Sequence, residues 1–327
     1  PLSNITAPAA VPCAGANACL NAMPAIAGNS TDPNAKLTPS IAVSGVKLRI
    51  RNLASGDYWN GTIFAPGVTE LGIEPANFSS AGDPPTYSWS TTTLAGPGLR
   101  DGADYAIYAH AADKAGNDLS AEASMAAFTF VYDTAPAVGM LIQPSSGQVY
   151  LNLATISGTS VDPSGSNPNN KKSDVQRVEL QIYEPANDIC WSNASSQFNA
   201  PCPNFFVVTD TGPWTYSNAA LTGQLGSGRT YTLTARAIDF AGNVQTQFSA
   251  PLSSRTLHAD KAAPTAGFIK PVAGASYQSS QLNGGSALTG TADDPQKTLY
   301  PDSDALQSAE TVIWYLLGPT SYTTPAW

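Results

Sequence analysis

The chain has 327 residues, enough for two or three domains that each bury a core, and a formal net charge of −9. Its basic residues are scattered, so it lacks the positive footprint that phosphate backbones require, and no apolar run reaches the ~20 residues that cross a bilayer. Nucleic acid and a membrane span are therefore excluded, and the 27 Gly and 26 Pro against only 12% charged residues favour short strands and turns over helices.

Thr6-Ala7-Pro8 comes first, followed by a Pro- and Gly-flanked loop bounded by Cys13 and Cys19. Gly28 to Asp32-Pro33 then reads as a Gly-x-x-x-Asp-Pro turn. Val46, Leu48 and Ile50 alternate with polar residues, which gives one apolar strand face. Trp59 lies in a long loop from 57 to 88. After Gly102, Tyr105, Ile107, Ala109 and Ala111 point inward and His110 points to solvent, a pattern that fits a tyrosine corner. Asp113-Lys114-Ala115-Gly116-Asn117 ends the strand as a turn, with an Asp to bond amides and a Gly able to take positive φ.

From Thr134-Ala135-Pro136 the same order recurs. The turn is Gly158 to Asp162-Pro163, the strand is Val178, Leu180 and Ile182, and the tryptophan is Trp191 in a long loop from 184 to 213. The corner strand is Tyr231, Leu233, Ala235 and Ala237, and its turn runs from Asp239 to Asn243. A third start at Ala262-Ala263-Pro264 keeps the spacing of 128 residues between linker prolines. Asp294-Pro295, then Val312, Trp314, Leu316 and Trp327, repeat the first half of the order. Spacing of this kind marks an array of like units. The expected fold class is all-β: tandem immunoglobulin-like β-sandwich domains over 1–133, 134–261 and 262–327, the third one incomplete. Continuation of the chain, or a strand from another copy, is expected to complete that third unit.

The Thr-Ala-Pro linkers, the Gly-Thr-x-x-Asp-Pro segment and the Tyr-x-Leu-x-Ala-x-Ala-x-Asp-x-Ala-Gly-Asn strand and turn resemble the bacterial Ig-like repeats of large secreted and cell-surface adhesins and filament-type surface proteins. The resemblance covers both complete units and the start of the third. It implies a non-catalytic structural or adhesive role outside the cell, and it implies calcium at domain junctions. No cofactor is required by this reading.

Residue chemistry points the same way. Nucleophilic catalysis leans on histidine, and only His110 and His258 are present, so no enzymatic role is expected. Neither cysteine pair has a CxxC spacing, so disulfides Cys13–Cys19 and Cys190–Cys202 are expected within their own loops, and with them an oxidising compartment. The oxygen donors that could share calcium are Asp32, Asp162 and Asp294 after the first turns, Asp113, Asn117, Asp239 and Asn243 in the last turns, and Asp133 and Asp260 in the linkers. Their alternative reading is that each Asp caps its own turn. Among the loop aromatics, Phe198, Phe205 and Phe206 have no counterpart at a constant offset and are the candidates for an interface. The expected partners are protein or glycan surfaces, or copies of the chain in a filament. The alternative is a set of spacer or carbohydrate-binding modules in a secreted hydrolase.

Overall fold

The computed structural model describes residues 1–8, 13, 18–23, 25–32, 43–73, 78–81, 86–92, 98–163, 171–208, 210–282 and 288–294. The repeat positions Val312, Trp314, Leu316 and Trp327 lie outside the described residues.

The first unit contains eleven strands among the described residues: β1 (Leu2–Ala7), β2 (Ala18–Leu20), β3 (Ile26–Thr31), β4 (Val43–Asn52), β5 (Tyr58–Trp59), β6 (Phe64–Ala65), β7 (Leu71–Ile73), β8 (Phe78–Ala81), β9 (Thr86–Thr91), β10 (Ala103–Asp113) and β11 (Ala126–Tyr132). One sheet has the order β1-β3-β9-β8. The other runs β2-β11-β10-β4-β5-β6, with β7 also on β4. The second unit repeats the plan with β12 (Val138–Gln143), β13 (Gln148–Tyr150), β14 (Ile156–Val161), β15 (Val175–Glu184), β16 (Ile189–Ser192), β17 (Gln197–Ala200), β18 (Phe206–Val207), β19 (Trp214–Tyr216), helix α1 (Ala219–Gln224), β20 (Arg229–Asp239) and β21 (Ser254–Ala259). Its sheets are β12-β14-β19 and β13-β21-β20-β15-β16-β17, with β18 on β15. In both units the leading segment pairs antiparallel in one sheet and then parallel to the last strand of the other (β2 on β11, β13 on β21), as in immunoglobulin-like sandwiches. In the third unit β22 (Thr265–Lys270) pairs with β23 (Thr289–Asp293), with a short helix α2 (Ser279–Leu282) between them.

The alternation read from sequence becomes the core. Val46, Leu48 and Ile50 on β4, and Val178, Leu180 and Ile182 on β15, are fully buried between the sheets, together with Tyr105 and Tyr231. Each tyrosine closes a corner. The backbone N–H of Arg100 donates to the Tyr105 hydroxyl at 2.9 Å, and that of Gly226 donates to the Tyr231 hydroxyl at 2.8 Å. Both Asp-x-Ala-Gly-Asn turns form as expected, with Gly116 at φ +86 and Gly242 at φ +89 and the asparagine N–H on the aspartate carboxylate. The cysteines pair as Cys13–Cys19 and Cys190–Cys202.

Two expectations change. Gly28 and Gly158 sit inside strands β3 and β14, not in turns, and the ring of Trp89 or Trp214 on the neighbouring strand lies over them. A Cβ at Gly158 would fall 2.0 Å from the Met140 carbonyl oxygen and 2.2 Å from the Trp214 ring, so no larger residue fits. His110 is buried rather than solvated. Glu70, just before β7, covers it and accepts from its Nε2 at 3.1 Å, while also accepting from Lys47 and Arg49. Burial pushes the Glu70 carboxyl up, but those two cations outweigh it and bring it to about 2.

Candidate metal centre between the first two sandwiches

Asp133 follows the last strand of the first sandwich. Its backbone N–H donates to the Leu20 carbonyl of that sandwich, whereas its carboxylate turns toward the second, where Oδ2 accepts the Ser173 N–H at 2.7 Å. The junction is tied further by the Lys171 N–H on the Gly102 carbonyl and by Thr134, whose N–H and hydroxyl both reach Asp101 Oδ1. Asp162 stands just past β14, and Asp239 ends β20. These three acids come from a linker, a strand end and a turn, and sheet packing brings one carboxylate oxygen of each within 4.8 Å of the others.

All three are buried, at 1%, 2% and 0% exposure. Asp239 is held by the Asn243 N–H and side-chain amide, each at 2.8 Å, and the same amide reaches the Asp133 carbonyl at 2.9 Å. The Asp162 carboxyl takes a backbone hydrogen bond from Asp174 and a long contact of 3.4 Å from the Ser173 hydroxyl to Oδ2, while its Oδ1 has no hydrogen-bond partner. A buried, unpaired carboxylate oxygen facing two more carboxylates is an unfavourable arrangement unless a cation joins it.

The electrostatics register the conflict. Burial, and then the neighbouring Asp133 and Asp239 charges, raise the Asp162 carboxyl from 3.8 to about 7. Burial also raises Asp239, despite its bonds from Asn243. Asp113 occupies the same place in the first unit, and there the Asn117 side-chain amide outweighs burial and lowers it. The local motif is identical in the two units. What differs is first the weight of burial and then the neighbouring acid.

The donor set fits a hard cation: carboxylate oxygens with carbonyl groups nearby and no histidine or thiol among the three acids. Calcium, which tolerates irregular oxygen shells, suits it. A solvent cavity of about 490 Å³, lined among others by Ser160, Asp162, Lys172 and Asp174, gives an entry path.

Of the other expected donors, Asn243 joins this centre through Asp239. Asp32 and Asp113 are buried in the first unit, but position 5, the counterpart of Asp133, is an isoleucine, and no third acid joins them among the described residues. Asn117 serves as the clamp on Asp113. At the next linker, Asp260 accepts from the Ala262 N–H and the Ser227 hydroxyl, and Asp294 is buried past β23.

The three aromatic candidates separate as well. Phe198 packs edge-on against Trp191 at 5.2 Å and against Tyr231, and Phe206 packs on Tyr216 at 4.8 Å, so both line the core. Phe198 does have a counterpart: Phe64 meets Trp59 and Tyr105 in the same way, at a different sequence offset because the hairpins differ in length. Phe205, half-buried, does not pack on that core but lies under the Arg236 guanidinium at 3.8 Å and stacks on Phe248.

No family model matches the sequence, and no curated protein matches it. Similar solved structures include a tetra-tandem repeat from the extending region of a large adhesion protein, at 15% identity and a TM-score of 0.25, covering 82% of this chain and 52% of that one. Domains of a 1.5-MDa bacterial ice-binding adhesin align at 13% identity and a TM-score of 0.30, over 76% of this chain and 62% of that one. Titin domains A168–A170 align at 10% identity and a TM-score of 0.33, over 79% and 64%. The chain thus spans between half and two thirds of the length of these structures.

Proposed function

We propose that this chain is an extracellular segment of a surface protein, an array of Ig-like sandwiches whose junction between the first two units is stiffened by calcium so that it projects a binding end or joins a filament. The observation that carries this reading is the buried trio Asp133, Asp162 and Asp239, shared between consecutive units, with an orphaned Asp162 oxygen. A cation there would neutralise three like charges and fix one sandwich against the next, since Asp133 belongs to the first by its backbone and to the second by its carboxylate. The two disulfides support an oxidising compartment. Partners of such a segment are protein or glycan surfaces, or further copies of itself.

Small-angle scattering of residues 1–327 in calcium and in EDTA tests the proposal. Calcium is expected to narrow the pair-distance distribution and lengthen the particle, with no response in Asp162→Asn. Superimposable profiles in calcium and EDTA for the unaltered chain would overturn it.

A further inference from the structure

The two complete sandwiches share a strand order, which makes their differences informative. In the second, the indole N–H of Trp191 donates to the Tyr216 hydroxyl at 2.8 Å. The end of that sandwich is filled by Leu221 and Leu225, in and after α1, and by an ion pair between Arg229 and Glu184 at 3.1 Å. In the first sandwich Leu99 keeps the place of Leu225, but three of the polar supports change. Thr91 holds the register position of Tyr216, Asn52 that of Glu184, and Ala103 that of Arg229. Trp59, the counterpart of Trp191, is 3% exposed, and its indole N–H has no hydrogen-bond partner.

Among the described residues, the corresponding end of the first sandwich has a cavity of about 490 Å³, within the about 300–1,000 Å³ typical of small-molecule sites. Its lining combines the Trp59 and Phe64 rings with Asn52, Asp57, Thr62 and Arg100. Neither the Asp57 carboxylate nor the Arg100 guanidinium has an ion-pair partner among the described residues.

We propose that this cavity in the first sandwich binds a neutral sugar ring, a hexopyranose. Three features select that chemistry. An acceptor-only carboxylate and a donor-only guanidinium lining one cavity suit hydroxyls, which both donate and accept. One negative and one positive group cancel, which disfavours phosphates and metal ions alike. The aromatic wall of Trp59 and Phe64 offers an apolar surface to the C–H face of the ring. The site deepens the adhesive reading by naming a ligand class, and it does not depend on the calcium centre, because none of its residues belongs to the carboxylate trio.

The test is NMR of the ¹⁵N-labelled chain, following the tryptophan indole N–H signals during titration with the methyl glycopyranosides of glucose, galactose and mannose, in calcium throughout. The Trp59 signal is expected to shift saturably with at least one sugar, while the Trp191 signal, already bonded to Tyr216, stays in place. Asp57→Asn and Arg100→Ala, at a half-buried and an exposed position of the lining, are each expected to weaken that binding about fivefold, the loss of one hydrogen bond. Absence of any saturable Trp59 shift, an equal shift of Trp191, or undiminished binding in both variants would each overturn the proposal. Because calcium is present in every sample, these outcomes stay separate from failure of the junction reading.

Discussion

Removing calcium should make the stability of the second sandwich fall as pH rises, and the carboxylate trio sets the size of the effect. Without a cation, the folded chain keeps a proton on Asp162 up to about pH 7, whereas the unfolded chain releases it near 3.8. Between those values the folded state binds more protons at this site, so the Asp162 contribution to stability is full below about pH 4 and is lost on the way to pH 7. The displacement corresponds to about 4 kcal/mol. Calcium binds the ionised form and is expected to restore up to that amount, which for a domain of this size is a rise in melting temperature of roughly 12 °C. Scanning calorimetry at pH 8 and pH 5, in calcium and in EDTA, reads both. The calcium effect should be large at pH 8 and small at pH 5, where protons already neutralise the site. Asp162→Asn should melt higher than the unaltered chain in EDTA at pH 8, because it removes one of three crowded charges, and should lose its response to calcium. A melting temperature independent of calcium at pH 8, or an Asp162→Asn chain destabilised in EDTA, would refute the reasoning.

Two further outcomes are expected. Tyr231→Phe leaves the Gly226 N–H without its acceptor and should lower the stability of the second sandwich by about 1–2 kcal/mol in urea denaturation; an unchanged midpoint would show that the hydroxyl contributes nothing. Gly158→Ala drives a methyl into the Met140 carbonyl and the Trp214 ring and should cost more than ~3 kcal/mol or abolish folding of that unit, and a variant melting with the unaltered chain would contradict the close packing.

Much of this protein is legible in its residues because the relevant physics is local. A two-residue apolar period produces a sheet with one buried face, so Val46 to Ile50 and Val178 to Ile182 reveal their strands without any knowledge of the fold. The corner tyrosines and the Asp-x-Ala-Gly-Asn turns close over five residues or fewer, and the cysteine pairs close over 6 and 12. Tertiary structure decided what depends on neighbours distant in the chain. Gly28 and Gly158 resemble turn residues until the tryptophan of the adjacent strand is seen to occupy the space of their absent side chains. His110 and Arg236 share a register position, yet Glu70 buries the first. Phe198 and Phe64 play one role at different offsets, because hairpins of unequal length end in the same core. The nine oxygen donors spread along the sequence are chemically alike. Only the packing of β14, β20 and the linker against one another selects Asp133, Asp162 and Asp239, since electrostatic coupling depends on separation in space and on exclusion of water, and neither is written in the order of residues.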